Sequence, residues 1–254
     1  MINPDLHKQP QLLDRNLHRQ LRMRTDLGNL AVAKPLNSVF LTVAEFGDAC
    51  KEFPILFLRA GELDGKPQVA AVAVMGLSPG ENLMLEATHD GGERWSARYI
   101  PALLRAYPFT MARTQPDQWA VAIDRSWKGL SETEGERLFD DQGEPTPYLA
   151  GVRDFVERLE AEIERTRIAG ERLLAMGLLQ DKRFDATLPD GQPLSVDGFL
   201  AVDEQKLAEL GDAEVLELHR GGLAGVLMTH QVSLTNMRTL IERRLAKGAP
   251  TATP

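Results

Sequence analysis

Residues 53–77, FPILFLRAGELDGKPQVAAVAVMGL, decide the fold. Two apolar runs, Ile55–Leu58 and Gln68–Leu77, flank the glycine-bearing segment GELDGK, which is the pattern of strand, loop and strand. The loop reads as longer than a two-residue turn. Just upstream, Phe53-Pro54 ends a short helical stretch over Ala44–Glu52, in which Phe46, Ala49 and Cys50 share one side. Working outward, further apolar runs occur at Ser38–Val43, Asn82–Glu86 and Trp119–Ile123. Gly61, Gly65, Pro79-Gly80 and Gly91-Gly92 punctuate them, so residues 31–128 read as β-rich.

The second half has a different period. The segment 129–147, with SETEGERLFDDQGEPTP at its centre, reads as a linker loop because acids, glycines and prolines crowd it. From Tyr148 to Leu179, apolar Val152, Phe155, Val156, Leu159, Ile163, Leu173 and Leu174 recur largely at three- and four-residue spacings, the mark of an amphipathic helix. A strand and turn follow at Phe184-Asp-Ala-Thr-Leu-Pro-Asp-Gly, then a strand at Val196–Val202. Asp203 can cap a short helix to Leu210, and Gly221-Gly222 precedes a second amphipathic helix over Leu223–Leu245. The expected fold class is α+β, a β-rich N-terminal half with the amphipathic helices of the C-terminal half packed against it. Residues 1–30 read as a polar N-terminal arm bearing Arg15, His18, Arg19, Arg22 and Arg24. A single domain over 31–247 is expected, with 148–247 helical and 248–254 a disordered tail.

Composition narrows the function classes. The 254 residues are 43% hydrophobic and 26% charged, which suits a folded globular chain. The formal net charge of -8 argues against nucleic acid as a partner, since phosphate affinity comes from clustered Lys and Arg. The polar N-terminus lacks the apolar core of a secretory signal, and no apolar run is long enough for a membrane span. The lone Cys50 permits no intrachain disulfide, so a cytoplasmic location is expected, with non-classical export left open.

FPILFLR, PQVAAVAVMGLSPGENLML, RWSARYIPALLRAYPFTMA, VDGFLAVDEQKLAEL and MTHQVSLTNM, in that order, resemble the bacterial SapC family. The resemblance spans roughly Leu17 to Leu245. It implies association with a paracrystalline surface layer, and the same label is shared with a peptide-uptake permease. The permease reading conflicts with the missing membrane spans. The surface-layer reading lacks both a signal and glycine-aspartate repeats to support it. The resemblance transfers no catalytic residues.

The segment Trp95–Phe109, WSARYIPALLRAYPF, concentrates aromatics and arginines in a chain that is only 6% aromatic. Trp95, Arg98, Tyr99, Arg105 and Tyr107 are the candidate ligand-binding residues, with arginine gripping an anionic group and aromatics stacking beside it. The competing reading is a packed corner, its arginines paired with acids. His230, Ser233 and Asn236 share one helix face and could do acid-base work or form a buried network. No metal-ligand pairing such as HxxxH occurs, GLSPG at Gly76–Gly80 lacks the lysine of a phosphate loop, and no cofactor is expected. Together these point to a non-enzymatic binding or accessory protein that recognises a peptide, protein or small anionic ligand, with homo-oligomer formation open. The alternatives are an enzyme acting on a peptide or amino-acid-derived substrate, with His230 as general base, and a surface-layer component.

Overall fold

The computed structural model describes residues 2–25, 30–89, 92–115, 118–187 and 193–248. The chain runs through β1 (Pro10–Leu12), β2 (Arg22–Met23), β3 (Ser38–Phe40), α1 (Phe46–Ala49), β4 (Ile55–Leu63) and β5 (Lys66–Val74). It continues through β6 (Leu85–Ala87), β7 (Glu93–Trp95), α2 (Ala102–Ala106), β8 (Phe109–Gln115), β9 (Gln118–Asp124), β10 (Leu130–Ser131) and β11 (Glu136–Arg137). The last third holds α3 (Pro147–Ala175), β12 (Leu179–Thr187), β13 (Pro193–Val202), α4 (Glu204–Ala208), α5 (Asp212–Arg220), α6 (Leu223–Ser233) and α7 (Asn236–Gly248). Helix makes up 35% and strand 30%, so the fold is α+β as expected. Among the described residues, no helix is long and apolar enough to cross a membrane.

Two compact units divide the chain. Unit 1 comprises 1–33, 85–95 and 102–162; unit 2 comprises 34–84, 96–101 and 163–254. The boundaries do not follow the expected linker, since 129–147 lies wholly inside unit 1. The helix α3 contributes its first part to unit 1 and the rest, from Ile163, to unit 2.

In unit 2 the sheet order is β12-β13-β4-β5-β3, with every pairing antiparallel. β12 and β13, in the C-terminal stretch where strands near Phe184 and at Val196–Val202 are expected, complete the sheet begun by β3, β4 and β5. The loop between β4 and β5 is shorter than expected. Asp64 and Gly65 alone turn the chain, with φ of 50° and 73°, as a type I′ hairpin requires, and a bulge between Arg59 and Glu62 absorbs the extra residue. The apolar runs of 53–77 extend into polar strand ends, so Arg59–Leu63 is strand despite its exposure.

The helices of unit 2 pack on this sheet. Phe46, Phe53, Ile55, Phe57 and Leu200 are almost fully buried, and the Phe57 ring lies 6.3 Å from Phe46 and 5.2 Å from the His230 ring. The single helix expected over Leu223–Leu245 is two helices. Ser233 Oγ donates to the His230 carbonyl at 2.5 Å and Thr235 Oγ1 to the Val232 carbonyl at 2.8 Å, so hydroxyls take up helix acceptors where α6 ends. Asp203 caps α4, accepting from the amides of Gln205 and Lys206. The turn expected after Thr187, the Gly91-Gly92 break and the tail beyond Gly248 lie wholly or partly outside the described residues.

In unit 1 the stretch read as an arm is part of the fabric. β1 pairs with β9 in the order β1-β9-β8, while β2 lies between β10 and β11. Leu6, His7, His18, Leu21 and Met23 are buried. The basic cluster is answered by the acidic loop: Arg15 pairs with Glu144 at 3.8 Å, Arg22 donates to the Gly135 carbonyl at 3.3 Å, and Arg19 donates to the Asp141 carbonyl. Two segments that look polar and loose in isolation therefore stabilise each other through short strands and charge.

Candidate ligand cavity

Asp124, the last residue of β9, organises a cavity in unit 1. It is fully buried, a costly position for a carboxylate unless its lone pairs are filled. They are filled by five donors. The amide and hydroxyl of Ser126 donate to Oδ1 at 3.0 and 2.8 Å, and the Gln9 amide to the same oxygen at 2.9 Å. The Lys8 amide and the Tyr107 hydroxyl donate to Oδ2 at 3.0 and 3.1 Å. Burial alone would raise the carboxyl pKa, but the bonds from Ser126, Gln9 and Lys8 outweigh it and hold it below the ordinary value. Tyr107 moves the other way, its phenol pKa raised by burial and by the Asp124 charge. The phenol therefore stays protonated and committed to the carboxylate.

This network fixes the positions of three chain segments. The Lys8 and Gln9 amides hold the N-terminal stretch, Tyr107 holds the end of α2, and Ser126 holds the turn leading to Trp127. The Tyr107 ring meets His7 at 5.7 Å and Trp127 edge-on at 6.5 Å and 88°. His7 is buried, and burial lowers its pKa against the pull of the Asn3 carbonyl and the Asp124 charge. Trp127 in turn lies directly over Gly129, where a Cβ would sit 2.2 to 2.5 Å from three carbons of the indole. Only glycine leaves room for the ring in that position.

Beside this assembly lies a cavity of about 440 Å³, lined by Leu6, Lys8, Arg24, Tyr107, Trp127 and Lys128 among others. Ala31 and Val32 complete its apolar side. Among the described residues, three that line it are cationic and none is acidic, in a chain whose net charge is -8. Lys8 is exposed, and its Nζ donates to the Pro4 carbonyl at 3.0 Å.

The candidate residues of the 95–109 segment go to different places. Tyr107 lines the unit 1 cavity. Arg105, also in unit 1, is exposed, with its guanidinium carbon 5.3 Å over the Phe155 ring, and Trp95 is half-buried on β7. Arg98 and Tyr99 belong to unit 2, where they line an open cleft of about 770 Å³ with Asp48, Glu52 and Arg243. There the Arg98 amide donates to Glu52 at 2.7 Å and the Tyr99 hydroxyl to the buried Glu45 at 2.9 Å. That cleft carries both signs of charge and so has no clear preference for an anion.

His230 does not line that cleft, and its ring is fully buried. Its Nε2 accepts the Val202 amide at 3.2 Å, while Ser233 Oγ accepts the Ile55 amide at 2.9 Å. Asn236 donates to the Cys50 and Phe53 carbonyls. His230 and Ser233 thus form a buried network, one of the two sequence readings of this stretch, while Asn236 is half-buried and lines the unit 2 cleft. Among the described residues, no group of three His, Cys, Asp or Glu side chains is placed to hold a metal ion.

Sequence reasoning did not single out Lys8, Arg24, Asp124, Trp127 or Lys128 as site residues. The one local signal was DRSWKG at 124–129, a tryptophan inside a polar turn, where an aromatic has no packing reason to be. Lys8 and Arg24 are brought there only by the pairing of residues 10–12 and 22–23 with distant strands.

No curated protein and no solved structure matches the chain. The SapC family model matches residues 13–240, and the chain therefore belongs to the SapC family.

Proposed function

We propose that this SapC chain is a binding protein that captures a small organic anion in the unit 1 cavity. The observation that carries the reading is the charge of the lining: Lys8, Arg24 and Lys128, with no carboxylate among the described lining residues, against the acidic balance of the whole chain. Such a local concentration of positive charge attracts anions. A volume of about 440 Å³ lies in the range of small-molecule sites. Binding rather than chemistry is supported by the ionisable groups at hand. Asp124 is saturated by donors and the Tyr107 proton is committed to it, so Asp124 offers no free lone pair and Tyr107 no free proton to a substrate.

A thermal-shift screen tests the reading. Acetate, succinate, benzoate and inorganic phosphate are compared with the neutral benzamide. At about 100 times its dissociation constant a ligand stabilises by roughly 2.7 kcal/mol. The expected result is a rise in melting temperature with at least one anion, absent with benzamide and lost in the Lys8→Gln/Arg24→Gln variant. Equal shifts in that variant, or no shift with any anion, would overturn it.

A further inference from the structure

We infer that the anion taken by the unit 1 cavity is an aromatic carboxylate, its ring against the Trp127 indole and its carboxylate toward Lys8, Arg24 and Lys128. This rests on the anion-binding reading above and adds the nature of the rest of the ligand. Apart from the three cations, Ser126 and Gly129, the described lining is aromatic or apolar: Trp127, Tyr107, Leu6, Ala31 and Val32. A phosphate or a short aliphatic acid would satisfy the cations and leave those walls wet. A planar ring fills them and gains the edge or stacking contacts that aromatic faces favour.

The aromatic wall is also built to stay in place. Tyr107 is tied by its hydroxyl to Asp124 and touches Trp127 edge-on. Gly129 gives the indole its floor, where any Cβ would collide with Cη2, Cζ2 and Cζ3. Trp127 is therefore a specificity-determining residue and Gly129 a positioning residue that acts through it. A ring whose orientation is set before binding loses less freedom when a ligand arrives, which favours a flat partner over a flexible one.

The test uses the full chain with Trp95→Phe and Trp119→Phe, so that Trp127 is the single reporter of emission. Benzoate, cyclohexanecarboxylate and inorganic phosphate are titrated in a buffer free of other carboxylates. Benzoate should change Trp127 emission and bind about tenfold tighter than cyclohexanecarboxylate, which has the same charge without the flat π-face. In the wild-type background, followed by calorimetry, Trp127→Leu should lose that preference and Trp127→Phe should keep most of it. Gly129→Ala should weaken benzoate and leave phosphate unchanged, an outcome that a general folding defect would not give. Equal affinity for benzoate and cyclohexanecarboxylate would overturn the aromatic inference while leaving the anion site standing. No binding of any of the three would overturn both.

Discussion

The amide of Val202 donates a hydrogen bond to Nε2 of His230 at 3.2 Å. A ring nitrogen that accepts carries no proton, so His230 is held neutral, with its proton on Nδ1. Burial pushes its pKa down to about 4, and the nearby Ile55 backbone opposes the shift without a well-formed hydrogen bond to Nδ1. This is a structural histidine joining α6 to β13, and its titration belongs to stability.

The sign of the pH effect follows. The unfolded chain binds a proton near the ordinary value of 6.5, whereas the folded chain refuses it until about 4. Stability is therefore lost as pH falls through that interval. At about 1.4 kcal/mol per pKa unit the loss is roughly 3 kcal/mol. The pKa values of His7 and His18 are lowered by burial and add in the same direction. Urea denaturation at steps across the interval should show a falling midpoint, with a shallower slope in His230→Gln. A midpoint independent of pH would refute the assignment.

Asp124 acts in a lower window. Its folded pKa lies below the ordinary 3.8, so its contribution is complete above that value and disappears only as pH falls through the folded one. Asp124→Ala removes an acceptor from five donors and should cost about 3 kcal/mol near neutral pH. It should also release Tyr107 and weaken anion capture. Calorimetric unfolding of the variant checks the first effect and benzoate titration the second.

Ser233→Ala strands the Ile55 amide, which is fully buried and donates to Ser233 Oγ at 2.9 Å. The expected destabilisation is about 1–3 kcal/mol. Denaturant titration measures it directly, and a neutral result would mean that the amide finds another acceptor.

Gly65→Ala should cost about 1 kcal/mol, because φ of 73° places an L side chain in the left-handed region. Asp64→Asn should be nearly silent, since asparagine tolerates the φ of 50° at that position. A melting-temperature comparison of the two variants decides it.

How much of this could be read from the residues differs by element. The amphipathic helix over Tyr148–Leu179 was legible because its period is local, and it appears as Pro147–Ala175. The Asp203 cap was legible for the same reason. The arm and the linker were misread because their short strands are stabilised by each other, and pairing between residues more than a hundred positions apart leaves no local period. Likewise, the hairpin turn was overestimated because Arg59–Leu63 and Lys66-Pro67 do not continue the apolar runs yet are extended in structure. Of the sequence candidates, Tyr107 lines the unit 1 cavity, and it drew attention because aromatics cluster near it. Lys8 and Lys128 carried no signal, since a lone cation in a sequence looks like any solvated side chain until the fold gathers several around one cavity, and Arg24 was legible only as part of the basic cluster of the N-terminal stretch.

The central claim is that the unit 1 cavity is an anion site. Isothermal titration of benzoate into the wild-type chain and into Lys8→Gln/Arg24→Gln, each at low and high salt, tests it most directly. The account predicts saturable binding to the wild type that weakens with salt and is abolished in the variant. Binding that is the same in both proteins, or absent from the wild type at low salt, would contradict it.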